Sequence, residues 1–313
     1  MTTSKNVYRA AKTPTFYFIG VTTTKSSIMK VFPKWAEEMN LDAEIRGFDF
    51  APHSAPEEYR EVVTFIKNDP NSLGALVTTH KIDLYNSCKD LFDYLDPYAE
   101  MLGEISSISK DGGRLCGHAK DPISSGLALE AFIPTGLFSR HKGEVMLMGA
   151  GGSTLAMSLY YAQKKDGDVP QRIIITNRSQ PRLDSAKEIL EKLDTDITFD
   201  YILCPVPGDN DKVMSSLAPY SLVVNATGLG KDGPGSPVTD NGRFPENGFV
   251  WEINYRGDLL FKEQAEAQKE EHNLTVEDGW VYFIHGWTQV ISEVFHMPIE
   301  GELLKRLSEI AKQ

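Results

Sequence analysis

The chain has 313 residues, 41% of them hydrophobic and 24% charged, the composition of a soluble globular protein with room for two α/β domains. Its 32 basic and 44 acidic residues leave a net charge of −12, which excludes nonspecific binding to nucleic acid or acidic membranes and obliges any anionic ligand to find local positive charge. Cys88, Cys116 and Cys204 are isolated, no leader-like start or long apolar segment is evident, and His80, His118 and His285 show no metal spacing, so the expectation is a cytoplasmic protein with no metal, no membrane and no nucleic-acid partner.

Residues 16–22 form a short apolar run, followed by a serine turn and an amphipathic stretch through Met29, Val31, Trp35 and Met39. This reads as strand, loop, helix. Residues 43–50 give a second strand, 57–68 a helix, and 73–78 a third strand running into HKIDLYN. Strands alternating with helices predict a mainly parallel sheet with crossovers. Two short strands follow at 105–109 and 114–117, joined by the turn DGG, and Asp121 opens a helix through Leu127 and Leu129 that Pro134 and Gly136 break. That break sets the expected border between an N-terminal α/β substrate unit, 1–137, completed by the helices of 279–313, and a dinucleotide-binding unit, 138–278.

The second unit opens on EVMLMGAGGSTLA at 144–156, an apolar strand, a glycine turn and a helix. In a Rossmann unit such glycines let the backbone turn tightly and approach the pyrophosphate, whose charge rests on the amides at the helix N-terminus. Gly149, Gly151 and Gly152 suit those roles, with Ala150 and Ser153 in the same turn. The next strand, 173–176, ends in NRSQPR. A cofactor without a 2′-phosphate usually meets an acid at that point, whereas here stand Asn177, Arg178, Ser179 and Arg182. Two guanidiniums can hold a 2′-phosphate by charge-assisted hydrogen bonds, which predicts NADP(H) over NAD(H). The competing readings are a solvated helix start for the arginines and, for the glycine turn alone, a methyltransferase or a plain strand-helix corner. Further strands are expected at 199–203, 222–225 and 250–253, with a ligand-side loop at 228–242. The chain closes on an aromatic helix carrying Trp280, Tyr282, Phe283 and Trp287 and then an amphipathic one.

The order of these pieces resembles the shikimate/quinate dehydrogenase family over roughly 16–295. GALVTTHK at 74–81 is similar to the family's strand ending in a catalytic lysine, and GRLCGHAKD at 113–121 to the stretch ending in the catalytic aspartate. SLVVNATGLG at 221–230 resembles the loop under the nicotinamide, and NRSQPR the NADP clasp; EINY at 252–255 and GWVYFIHGWTQ at 279–289 match more loosely. The resemblance implies an NADP-dependent alcohol dehydrogenase in which Lys81 is the acid/base and Asp121 its partner. It also adds Asn225, Ala226, Thr227 and Gly279 to the cofactor residues. Without it, Lys81 is a surface lysine at a strand end and Asp121 a helix cap.

The substrate contacts depart from the family pattern. Of two early serines that hold the substrate carboxylate, Ser26 matches the first, while Ile28 stands at the second. Lys25 replaces the usual histidine and can supply charge to an acid group. Ala75 and Val77 occupy the family's Asn and Thr positions, and Ser106 and Ala119 its later asparagines. Tyr255 matches a tyrosine near the carboxylate with Arg256 beside it, and the helix glutamine falls on Gly286, with His285 and Gln289 as substitutes. A site that bonds substrate hydroxyls discriminates strongly, so the loss of several partners predicts a different small carboxylated cyclic substrate. The expectation is a shikimate dehydrogenase-like enzyme, monomeric or homodimeric; the alternative is an inactive sensing module of the same fold.

Overall fold

Runs of β-branched and aromatic residues alternate with amphipathic helices along the chain, and among the described residues the outcome is two six-stranded sheets. The structure is a computed structural model, and it describes residues 6–231 and 233–312. Residues 1–5 of the N-terminal segment read above, Asp232 of the 228–242 loop, and Gln313 lie outside the described residues. Contacts divide the chain into two units, one made of the residues up to Lys120 and from Gly286 on, the other of Asp121–His285.

The first unit holds β1 (Thr15–Gly20), β2 (Glu44–Asp49), β3 (Ser72–Val77), β4 (Tyr94–Leu95), β5 (Ser107–Asp111) and β6 (Arg114–His118). Their order is β2-β1-β3-β5-β6-β4. The pairs β1/β2, β1/β3 and β4/β6 are parallel, whereas β5 runs antiparallel to β3 and also to β6, to which a two-residue turn joins it directly. Central β1 is buried at every position. The helix Ile28–Glu38 lays Ile28, Phe32 and Trp35 into the core, and the Trp35 Nε1 donates to Leu307 O at 2.8 Å, anchoring the helix Gly301–Ala311. The helix Pro56–Asn68 buries Tyr59, Val62, Val63 and Ile66, a stripe at helical spacing.

The second unit holds β7 (Val145–Met148), β8 (Arg172–Asn177), β9 (Thr198–Leu203), β10 (Leu222–Asn225), β11 (Phe249–Glu252) and β12 (Thr275–Glu277). All are parallel, in the order β12-β11-β10-β7-β8-β9. This is the doubly wound arrangement, with the chain reversing its direction of progress between β7 and β10. Ligands of such sheets bind at that point, beyond the carboxyl ends of the strands.

The border between the units differs from the expected one at 137/138 and 278/279. The helix Asp121–Glu130 packs on the helix Gly152–Gln163, where a Cβ on Gly126 would sit 2.3 Å from Tyr160 Cδ2. That close approach assigns 121–137 to the second unit. On the other side, the division falls within the helix Trp280–Val294. Among the described residues, no helix is long and apolar enough to cross a membrane.

Candidate active site

The chain leaves β7 through Gly149, whose φ is 114° and whose N–H donates to Thr176 O at 2.8 Å. A Cβ there would lie 2.5 Å from Ala226 O, so both the backbone conformation and the contact with the β10 loop require glycine. Gly149→Ala is expected to destabilise the second unit by about 2 kcal/mol or more, read as a drop of several degrees in Tm. An unchanged Tm would contradict this reading of the turn. Thr154, fully buried, donates its Oγ1 to Gly149 O at 2.8 Å and locks the turn to the helix Gly152–Gln163. Nothing lies within 4 Å of where a Cβ on Gly151 would stand. The first-turn amides of that helix have no helical acceptor, so the open space before them suits a phosphate.

A cavity of about 620 Å³ lies at this turn. Of the expected cofactor residues it is lined by all but Gly152, Ser153, Asn225 and Gly279. At its β8 side, Asn177 Oδ1 accepts from Ser179 N at 2.9 Å, fixing the turn that presents Arg178 and Arg182. Both guanidiniums are exposed, and neither pairs with an acid among the described residues. Opposite walls come from residues that carried no motif: Pro205 and Val206 after β9, and Pro234 and Pro237 from the 228–242 loop. Val206 is 56% exposed, an apolar face on the rim that a flat aromatic group could cover. The loop is pinned from outside, with Asn210 Nδ2 donating to Pro237 O at 2.8 Å and Thr239 N to Asp211 Oδ1 at 3.0 Å. The sequence signal for this wall was the clustering of proline, which reads only as loop.

Asn225 does not line the cavity. It is fully buried, its Nδ2 donating to Glu252 Oε2 at 2.5 Å while its Oδ1 accepts from Thr227 N at 3.1 Å and Thr227 Oγ1 at 2.7 Å. Burial pushes the Glu252 carboxyl above its usual range, against the lowering effect of hydrogen bonds from Asn254 and Asn225. Gly279 serves packing: a Cβ would meet Ile253 O at 2.0 Å, and its N–H donates to Asn254 O at 3.0 Å. Tyr255 is half-buried, its ring 4.6 Å from Phe283 and 5.8 Å from Trp280, with the Arg256 guanidinium 6.0 Å over it. Asp121 opens the helix Asp121–Glu130 and is 8% exposed. Burial lowers the pKa of His285 below the usual histidine range.

In the first unit, Lys81 is half-buried at the start of the helix Lys81–Cys88, and its backbone is bonded on both sides, N–H to Thr78 O and C=O from Ile105 N. Ser26 is half-buried and Lys25 exposed on the turn after β1, which Asp49 fastens by accepting from Thr23 N and Oγ1. Ile28, Ala75, Val77 and Ala119 are all buried at 1% exposure or less and serve the core. Ser106 is 2% exposed, and its hydroxyl accepts from Lys120 N at 2.7 Å, so it supports the turn before Asp121. Gln289 lines a separate cavity of about 330 Å³ with Lys120 and Glu293, which none of Lys81, Ser26 or Lys25 reaches. His118 bonds Ser109 Oγ at 3.1 Å, and among the described residues no group of three or more acidic, His or Cys side chains could hold a metal.

No family model matches the chain. Curated relatives do. It is 26% identical over 164 residues to the shikimate dehydrogenase (NADP(+)) of Lactococcus lactis subsp. cremoris, covering 52% of this chain and 54% of that one. It is 28% identical over 178 residues to the enzyme of the same name from Bartonella henselae, covering 56% and 55%. The chain thus spans about half the length of the curated relatives it matches. Its fold is similar throughout to the crystal structure of shikimate 5-dehydrogenase from Listeria monocytogenes in complex with shikimate and NAD, with a TM-score of 0.73, 20% identity, and 98% and 99% of the two chains covered. Over about half its length the chain is thus similar in sequence to shikimate dehydrogenases, and its two-unit α/β fold is similar to that of a shikimate 5-dehydrogenase.

Proposed function

We propose that the chain is an NADP(H)-dependent oxidoreductase that interconverts a secondary alcohol and a ketone on a small carboxylated cyclic polyol. It differs from the shikimate dehydrogenases it resembles in the groups that meet the ring. One observation carries the reading: the cavity at the β7–β10 reversal joins a glycine turn at a helix N-terminus to two exposed guanidiniums at the tip of β8, where an acid would repel a 2′-phosphate. The residues present fit the cofactor. The helix Gly152–Gln163 and Gly151 would receive the pyrophosphate, Arg178 and Arg182 the 2′-phosphate, and Ala226 and Thr227 the nicotinamide side. When bound, NADP(H) supplies or takes up the hydride.

The protein's own part is the proton. In the reducing direction Lys81 gives a proton to the ketone oxygen, and in the oxidising direction it takes one from the alcohol; Asp121 is the partner that the family resemblance implies for it. Ser26, Lys25 and Tyr255, with Arg256 beside it, are the candidates for holding the substrate carboxylate. Ala75, Val77 and Ala119 offer no hydrogen bonds to ring hydroxyls, so a substrate with fewer or differently placed hydroxyls than shikimate is preferred. The enzyme works in the cytoplasm as a monomer or homodimer.

Titration with NADPH, followed by NADPH oxidation across a panel of cyclic keto acids, tests the proposal. Saturable binding with turnover of a panel member is the expected result. Absence of NADPH binding would refute the cofactor site. Binding without turnover, together with a thermal shift from a panel member, would assign the chain to the sensing alternative.

A further inference from the structure

The loops that follow β10 and β11 meet at one buried carboxylate. Glu252 is fully buried at the end of β11. Its Oε2 accepts from Asn225 Nδ2 at 2.5 Å, and its Oε1 from Asn254 N at 2.9 Å and Asn254 Nδ2 at 2.6 Å. Asn225 Nδ2 also reaches Leu229 O at 3.3 Å, while its Oδ1 takes Thr227 N and Oγ1. Leu229 N in turn donates to Thr227 Oγ1 at 3.1 Å. The 225–229 loop, which walls the cofactor cavity through Ala226, Thr227 and Leu229, is thereby joined to the loop that carries Tyr255.

The polarity of this chain of bonds is fixed at both ends by backbone N–H groups. Thr227 N–H must find an acceptor, so Asn225 presents its oxygen there and its amide nitrogen to residue 252. Asn254 N–H must also find an acceptor at residue 252. The side chain between them therefore has to accept on both oxygens, which a carboxylate does and a carboxamide cannot. Turning a glutamine either way leaves a donor facing a donor, at Asn254 or, if Asn225 turns as well, at Thr227. A buried donor left unmatched costs its full desolvation.

We propose that Glu252 is a positioning residue whose carboxylate fixes the 225–229 loop against the cofactor and ties it to the substrate-side loop at Tyr255; the role builds on the cofactor reading of the cavity. The polarity of these bonds can be reversed by substitution. Glu252→Gln alone sets donor against donor, and Asn225→Asp alone sets carboxylate against carboxylate. Together they restore the order at residues 227 and 254: an aspartate at 225 accepts from Thr227 and from the amide of a glutamine at 252, whose oxygen still accepts from Asn254, and only the longer bond from residue 225 to Leu229 O is lost.

Amide exchange at Thr227 and Leu229, measured in the ligand-free protein, is expected to speed up roughly 10–100-fold in each single variant and to return to within about threefold of wild type in Asn225→Asp/Glu252→Gln. NADPH affinity should fall about tenfold or more in the singles and recover in the double variant. A residue that merely fills space would show no such recovery. Unchanged exchange in Glu252→Gln, or a double variant no better than the singles, overturns the proposal. Should a single variant fail to fold, the double variant decides by its own exchange rates. Exchange that follows the pattern in a protein that does not bind NADPH would retain the clamp and remove the cofactor reading beneath it.

Discussion

Lys81→Ala is expected to lower turnover by roughly 10²–10⁴, the usual contribution of a positioned general acid/base, while leaving NADPH affinity nearly unchanged. The separation of the two effects follows from where the residue stands. Lys81 belongs to the first unit, while the residues that line the cofactor cavity all belong to the second. Its backbone is held by Thr78 and Ile105 through main-chain bonds, which truncation of the side chain leaves in place. The variant should therefore fold and bind cofactor, and lose only the proton transfer. Steady-state rates at saturating NADPH, beside a direct binding titration, provide the check. Lys81→Arg should fare little better, because a guanidinium does not give up its proton at neutral pH. Near-normal turnover in Lys81→Ala would return Lys81 to the standing of a surface lysine.

The sequence made the larger features legible because they follow from periodicity. Each strand expected in 145–253 appears within a residue or so of its expected bounds, since a buried parallel strand is a continuous apolar run bounded by turns. Strands β4 and β12 escaped notice, being two and three residues long and partly exposed, too short to show a period. The helix Pro97–Leu102 also escaped notice, although Asp96 caps it by accepting from Ala99 N at 2.6 Å. Nothing apolar and periodic marked it beyond that.

The site was legible where a motif binds through its backbone and less so where a side chain has to be aimed. Gly149 and Gly151 stand where the glycine turn requires, because that geometry is dictated by the chain itself. Asn225 and Ser106, by contrast, matched family positions that touch ligands, yet their polar groups are bonded to protein: Asn225 to Glu252 and Thr227, Ser106 to Lys120 N. A linear motif shows that a polar residue is present and says nothing of whether the neighbouring backbone has already claimed it. Cavity walls from Pro205, Val206, Pro234 and Pro237 were invisible for the opposite reason, since a loop's tertiary position is set by contacts distant in sequence, such as Asn210 to Pro237.

On the proposed reading the cofactor preference rests on Arg178 and Arg182, and their joint replacement by alanine should abolish it. With the two guanidiniums gone, NADPH affinity is expected to fall roughly 10²-fold, about tenfold for each charge-assisted contact at an exposed site, while NADH affinity stays within about threefold. The asymmetry is the point: NADH lacks the 2′-phosphate, so it has nothing to lose. Because both side chains are exposed, the wild-type preference should itself shrink as salt is raised from about 0.05 to 0.5 M, and the double variant should show little of that dependence. The chain's net charge of −12 gives an anionic ligand no general attraction, so the loss of local positive charge should be felt. If the ratio of NADPH to NADH affinity were the same before and after the substitutions, the arginines would be no more than the solvated start of the helix Gln180–Leu190, and the choice of cofactor would have to be sought among the other residues of the cavity.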